Sequence, residues 1–322
     1  MSVLLAFLSL VLESQTGYPD RLYKAIGHPV SWIGSLISSL DRMLNRATES
    51  DRRRRLYGLL ALVAIVGLPA AIAGSLEFLL SPYSAGLAVL VIAGSTLLSQ
   101  QSLAEHVRAV AEALETDGLA GGREAVSKIV GRDPEQLDEA GISRAAIESL
   151  AENFSDGIVA PAFWLALGGL AGGVAYKAAN TADSMIGHLT PTHRAFGWAA
   201  ARFDDLVNLP ASRLTALLLV AAAALTPGAN AGAAWQAVLR DAGKHRSPNA
   251  GWPEAAMAGA LGLELAGPRV YSGKMVRDAF MGEGGRHIAT AADIRRALKL
   301  FWLADILLIG LLGLLALLFA VW

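Results

Sequence analysis

The sequence predicts an all-α, polytopic integral membrane protein. Of its 322 residues, 54% are hydrophobic and only 17% are charged. A soluble domain averages about 45–50% apolar and about 25% charged. The apolar residues also gather in long segments, and about 20 of them in a helix cross about 30 Å of hydrocarbon. A single membrane-embedded domain over residues 1–322 is therefore expected. It would hold about four to five membrane helices, with amphipathic and re-entrant helices and cytoplasmic helical segments.

The segments follow in chain order. Residues 1–12 are apolar but cover about half a span. They have no basic n-region and no small-residue cleavage site, so they read as a first membrane helix or an interfacial one rather than a cleaved signal. Residues 22–44 place Ile26, Val30, Ile33, Ile37 and Leu40 near helical spacing, which suits an amphipathic helix on the membrane surface. Residues 56–80 form the first clear span, with one carboxylate, Glu77, near its end; residues 84–103 form the second. Residues 157–175 are apolar but contain Pro161 and a run of glycines. They read as a broken, packed or re-entrant helix, because such backbone survives in hydrocarbon only where neighbours satisfy it. Residues 211–226 are rich in Ala and Leu, and residues 300–322 are interrupted only by Asp305.

Basic residues near segment ends set the orientation. Arg42, Arg46 and the run Arg52, Arg53, Arg54 and Arg55 place residues 13–55 in the cytoplasm. The polar regions 104–156 and 228–299 then also fall there. A full crossing by residues 157–175 would put 178–210 outside, with Arg194 and Arg202, against the positive-inside rule. At least one apolar segment in the middle of the chain is therefore expected not to cross fully.

Composition excludes several chemistries. A formal charge of −1 gives no basic face for nucleic acid. With no cysteine there are no disulfides, thiolate nucleophiles, zinc–thiolate sites or iron–sulfur clusters. Histidine is sparse, so a hard cation held by oxygen, Mg²⁺ by default, is the open option. There is no phosphate-binding loop, dinucleotide fingerprint, zinc-protease motif or nucleophile elbow.

Five polar stretches carry candidate chemistry. His106 and Arg108 follow the second span at a membrane–water boundary, where a structural histidine is the plainer reading. Asp133 before Pro134 suits a helix cap. Glu148, Glu152 and Asp156 repeat every four residues beside Asn153 and Ser155, and run into apolar residues. Like charges on one helix face repel, so either a shared Mg²⁺, a cationic partner or open solvent must relieve them. Lys177, Asn180, Thr181 and Ser184, with Asp183 among them, would make a polar face, either functional or as glue between helices. Arg202, Asp204, Asp205 and Arg213 suit metal–phosphate work or an interfacial ion-pair cluster. Finally, Asn249 lies in a turn before Trp252, Pro253 and Glu254, where the acid favours a helix start and the indole is placed to line a pocket for a flat ligand.

Seven motifs in order carry a family resemblance: HPVSWIG (28–34), SLAEH (102–106), VGRD (130–133), ESLAENFSDGIVAP (148–161), YKAANTADSMIGH (176–188), FGWAAARFDDLVNLPASR (196–213) and SPNAGWPEAAMAGAL (247–261). With them the chain resembles the adenosylcobinamide-phosphate synthase family of cobalamin biosynthesis over nearly its whole length. It departs from the family at Gly17, Tyr18, Pro19 and Asp20, where an acidic Gly-Asp-Pro is frequent.

The resemblance implies a multi-pass enzyme of the inner cell membrane. It would join adenosylcobyric acid to (R)-1-aminopropan-2-ol or its O-phosphate in an amide bond, using ATP as cosubstrate and Mg²⁺. Its partners would be the corrinoid, the aminopropanol, the lipid bilayer and other membrane-bound enzymes of the late pathway. On that reading Asp183, Asp204, Asp205, Glu148 and Asp156 are candidates for Mg²⁺. Arg202 and Arg213 are candidates for phosphate, and Glu152 or Glu254 for the base. Lys177 and Asp183 complete the catalytic set, and Asn153, Asn180, Ser184, Asn249, Trp252 and His106 the substrate-binding set. Two other classes remain. A CDP-alcohol-type phosphotransferase lacks its D-x-x-D-G-x-x-A-R pattern here, since Asp156 and Gly157 lead into Ile158, Val159, Ala160 and Pro161. A transporter or scaffold would instead line an ion path with its acids.

Overall fold

The computed structural model describes residues 1–17, 27, 29–131, 134–271, 274–276 and 278–321. The readings for Tyr18, Pro19, Asp20, Ile26, His28 and Asp133 lie outside the described residues, and side chains over 269–277 are not described. The described helices are α1 (Ser2–Thr16), α2 (Pro29–Leu44), α3 (Asp51–Leu80), α4 (Ser84–Ser95), α5 (Gln100–Thr116), α6 (Gly118–Ser127), α7 (Glu139–Phe154), α8 (Ala160–Ile186), α9 (Trp198–Leu225), α10 (Ala231–Asp241), α11 (Gly251–Leu261) and α12 (Ala291–Val321). A π-helical turn, Ser155–Val159, joins α7 to α8. Four short strands make two antiparallel pairs: β1 (Leu265–Ala266) with β4 (Phe280–Met281), and β2 (Arg269–Tyr271) with β3 (Lys274–Val276).

The chain is an all-α polytopic membrane protein. Among the described residues five helical stretches are long and apolar enough to span a bilayer: Asp51–Leu80, Ser84–Thr116, Glu139–Ile186, Trp198–Leu225 and Ala291–Val321. Only 22% of the apolar window is buried in α3 and in α12. Large side chains such as Val63, Ile72, Phe78 and Leu317 therefore stand exposed. In water such a surface would be unfavourable; against lipid it is the matched solvent.

The fold divides into two compact units: Met1–Ser99 with Ala160–Asn208 and Leu311–Trp322, and Gln100–Val159 with Leu209–Gly310. In the first unit, Ile33 and Ile37 of α2, Ala61, Leu62 and Ile65 of α3, Ala178, Ala182 and Ile186 of α8, and Phe196 before α9 make one apolar core. Small residues let these backbones approach. A Cβ on Gly58 would collide with the Phe196 carbonyl, and one on Gly94 with the Ser9 hydroxyl.

Helix α8 is not continuous. Gly168 (φ −118°, ψ 15°) and Gly169 (φ 61°, ψ −156°) leave helical geometry. A Cβ on Gly172 would strike the Trp164 carbonyl, and one on Gly173 would lie 2.6 Å from Leu165 Cγ. Residues eight apart in an unbroken helix are separated by about 12 Å, so the chain reverses at the glycines and lays two helical arms side by side. The freed N–H of Leu170 donates to Glu77 Oε2 at 2.7 Å. That bond satisfies a backbone group that hydrocarbon could not.

The second arm ends in a connection, residues 187–197, pinned to the start of α3. Asn45 Nδ2 donates to the Thr192 carbonyl at 3.0 Å, and Arg54 donates to the same oxygen. His193 lies 3.2 Å from Asp41, and Arg194 lies 3.6 Å from Asp51. This connection thus shares the side of residues 41–54, the side that the basic count assigns to the cytoplasm. The reversal at Gly168 and Gly169 agrees with the expectation that an apolar segment in the middle of the chain does not cross fully.

In the second unit, Val107, Val110 and Ala111 of α5 and Ile142, Ala146, Ile147 and Leu150 of α7 are buried. Helix α11 is buried at nearly every position, and a Cβ on Gly259 would clash with Ala233 and Ala234 of α10. Phe154 and Phe301 meet edge to face at 5.1 Å. Gln100 Nε2 donates to the buried Asp305 at 2.7 Å, which gives the acid inside α12 a partner.

Candidate functional site

The first unit gathers one cluster. Tyr176, Asn180 and Asp183 follow at four- and three-residue steps on α8, and Asp204 and Asn208 at a four-residue step on α9, so each set shares a helix face. Tyr176 Oη donates to Asn208 Oδ1 at 2.8 Å. Asn208 Nδ2 donates to Asp204 Oδ2 at 3.0 Å, and Asn180 Nδ2 to Asp204 Oδ1 at 3.3 Å. Two amides thus hold the buried Asp204 carboxylate in one orientation, and a tyrosine holds one of the amides. Asp183 lies within charge–charge range of both Asp204 and Asp205. Arg202 Nη1 reaches Asp205 at 3.4 Å on the exposed side. The cluster therefore sits within about three helical turns of the 187–197 connection.

These oxygens suit a hard cation. Mg²⁺ commonly takes one or two protein carboxylates and completes its shell with water and substrate phosphates. Each Asp204 oxygen keeps a second lone pair beyond its amide bond, so it can still serve as a ligand. Among the described residues no group of three or more His, Asp or Glu is already arranged to hold a metal. Lys177 is half-buried on the same arm, and Ser184 Oγ donates to the Asn180 carbonyl at 2.9 Å.

The second unit gathers another cluster. Arg213 Nη1 donates to Asn249 Oδ1 at 2.9 Å, to Ser212 Oγ at 3.0 Å and to the Leu209 carbonyl at 3.2 Å. Its guanidinium lies over the Trp252 ring at 4.4 Å, a distance at which a cation is attracted to the indole face. All these bonds use one nitrogen. No carboxylate pairs with Arg213 among the described residues, and Nε and Nη2 stay available for a bidentate anion. The turn before α11 is held by Ser247 Oγ, which accepts from the N–H groups of Asn249 and Ala250, each at 3.2 Å. Glu254 is buried in the first turn of α11, with His245 Nε2 at 3.9 Å from Oε1. Ser247 N donates to His245 Nδ1 at 3.1 Å, which fixes the ring with its Nε2 towards the acid.

The predicted acid stripe of α7 is spread among different roles. Glu148 is buried and its Oε1 accepts from the Ala266 N–H at 2.8 Å. Ala266 has φ 57°, a strained value for a residue with a Cβ, and this bond helps to hold it. Glu152 and Asn153 are exposed, with Asn153 Nδ2 bonded to the Ser149 carbonyl at 2.9 Å. Asp156 lies in the π turn, where the four-residue repeat lapses. His106 is exposed and its Nδ1 lies 2.7 Å from the Ser102 carbonyl, an ordinary contact within a helix.

Sequence reasoning passed over Tyr176, Asn208, Ser212 and His245. The first three lie inside quoted motifs, and the four-residue step from Asp204 to Asn208 was the available signal. His245 precedes its motif and carried none. It also passed over Asp241, whose side chain is wholly buried. Burial opposes its charge, but Arg240, Lys244 and the N–H groups of Glu283 and Gly282 outweigh burial and hold its pKa down to about 2. Those bonds tie the end of α10 to the turn after β4.

Residues 6–301 match the family described as CobD/Cbib protein. The chain is 50% identical over 319 residues to the cobalamin biosynthesis protein CobD of Sinorhizobium sp, covering 96% of each chain. It is 49% identical over 304 residues to the protein of that name from Rhizobium meliloti (strain 1021), covering 94% of this chain and 93% of the relative. A third relative of that name, from Rhodobacter capsulatus, is 46% identical over 310 residues, with 96% of each covered. No solved structure matches.

Proposed function

The chain belongs to the CobD/Cbib family, and from that premise we propose that it is a membrane enzyme of cobalamin biosynthesis that makes an amide bond. Its substrates are the propionate of adenosylcobyric acid and the amine of (R)-1-aminopropan-2-ol or its O-phosphate, and ATP drives the reaction. The observation that carries this reading is Arg213: a cation oriented by Asn249, Ser212 and Trp252, with two donor groups left over for an anion. Adenosylcobyric acid brings such an anion as its carboxylate, and ATP and aminopropanol O-phosphate bring one as phosphate.

A carboxylate is a poor electrophile. Transfer of a phosphoryl group from ATP gives an acyl phosphate and ADP, and the amine then attacks the acyl carbon and expels phosphate. The ammonium must first give one proton to a base; the second amine proton leaves on the phosphate. Arg213 binds and orients the anion. Glu254, buried with His245 Nε2 at 3.9 Å, lies in the same unit as Arg213 and is the candidate base in preference to the exposed Glu152. Mg²⁺, when bound, supplies charge neutralisation at the ATP phosphates, and Asp183, Asp204 and Asp205 would hold it. The Asp204 amide clamps keep that carboxylate in place without reorganisation. The location of the cluster near the 187–197 connection supports cytoplasmic access for ATP.

The test is direct. Purified protein is incubated with adenosylcobyric acid, aminopropanol phosphate, ATP and Mg²⁺, and the amide is sought by mass. Product with stoichiometric ADP is expected, and Asp183→Asn should abolish it while the protein stays folded. No product from verified substrates overturns the reading, and corrinoid flux without ligation would replace it with transport.

A further inference from the structure

The four consecutive arginines at the start of α3 divide into two kinds. Arg53 pairs with Glu49 at 3.0 Å. Arg54 is buried and bonds to Asn45 Oδ1 at 2.8 and 2.9 Å and to the Thr192 carbonyl. These two hold the fold together. Arg52 and Arg55 are exposed, and neither has an ion-pair partner among the described residues. They stand three residues apart, on one face of the helix. Arg55 lies over the Trp198 ring at 5.9 Å, and Trp198 itself is 47% exposed at the start of α9.

The setting makes the unpaired charges informative. They head a 30-residue helix whose 18-residue apolar window has a mean hydropathy of 2.3 and is largely exposed. Tryptophan at such a position marks the headgroup level of a bilayer. An orientation signal needs basic residues somewhere near the span, but it does not need a guanidinium held 5.9 Å from the centre of an indole ring. We propose that Arg52, Arg55 and Trp198 form a binding site for the phosphate headgroup of an anionic phospholipid. The two guanidinium groups hold the phosphate with charge-assisted hydrogen bonds, Trp198 sets the depth, and the acyl chains run along the exposed face of α3.

The experiment uses the full chain in detergent with added phosphatidylglycerol or phosphatidylcholine, and native mass spectrometry counts retained lipids. Wild type should keep phosphatidylglycerol in preference to phosphatidylcholine. Arg52→Gln with Arg55→Gln should cut phosphatidylglycerol retention on the order of tenfold. Lys128→Gln with Lys299→Gln, which removes equal charge elsewhere, should leave it unchanged. Equal retention by the arginine variant and wild type overturns the site, as does equal loss in the lysine control. A second readout needs no arginine variant. Phosphatidylglycerol brominated near the headgroup should quench wild-type tryptophan fluorescence more than brominated phosphatidylcholine does, and Trp198→Phe should remove the difference. No difference in wild type overturns the proposal.

Discussion

At the scale of the residue, Arg213 and Asp241 show how one geometry serves two ends. Arg213 is held on one nitrogen and by stacking, while Asp241 has every approach filled. Arg213→Lys keeps the charge but loses the planar fork and the stack. We expect substrate KM to rise at least about tenfold with little change in melting temperature, checked by steady-state ligation and a thermal scan. Asp241 makes a stability prediction. Its folded pKa of about 2 lies below the ordinary 3.8, so the stabilisation is complete above pH 4 and is lost as pH falls towards 2. One pKa unit is about 1.4 kcal/mol, and the half-exposed partners reduce the effect to roughly 1–2 kcal/mol. Asp241→Asn should lower the melting temperature at pH 7 and flatten its fall below pH 4. Much of this scale was legible in the sequence: the motifs named Asn180, Asp183, Asp204, Arg213, Asn249 and Trp252. Which of them touch was not, because the Arg213–Asn249 pair spans 36 residues and depends on packing.

At the scale of the element, α8 is the instructive case. Pro161 and the glycines announced a break in the sequence, and composition alone set its place only within several residues. The decisive group is Glu77, 93 positions earlier, and no local pattern links the two. Gly169 needs its positive φ, and a Cβ there would approach within 2.8 Å of the Glu77 carboxyl carbon. Gly169→Ala should therefore destabilise the protein by roughly 1–3 kcal/mol. Glu77→Ala, which leaves the Leu170 N–H unmet, should cost about as much. Thermal unfolding in detergent measures both, and a neutral Gly169→Ala would show that the reversal tolerates a side chain. The acid series of α7 changes step for a related reason: four-residue spacing keeps one face only while the helix stays α, and the π turn at Ser155–Val159 ends that between Glu152 and Asp156.

At the scale of the whole molecule, hydropathy identified the membrane class and most of the long apolar stretches. Counting them as simple crossings conflicted with the basic residues of 178–210, and a hydropathy profile has no means to register the reversal that resolves the conflict, because it lacks a polar loop. The absence of cysteine makes the placement of the connection testable. Single cysteines at Ala47 and Leu189, both exposed, should react with an impermeant maleimide from the same face of oriented vesicles. Labelling from opposite faces would refute the placement of the connection.

The bond between Glu77 and Leu170 also sets a schedule. A ribosome adding about 5–20 residues per second completes the acid roughly 5–20 s before the N–H that it serves. During that interval a carboxylate waits near the end of a hydrophobic span with its final partner still unmade. The helix carrying it must therefore enter the bilayer provisionally and settle to its final depth only when the reversal arrives. Biogenesis of this chain should accordingly pass through an intermediate, and nascent chains truncated before residue 170 should be held less deeply than longer ones.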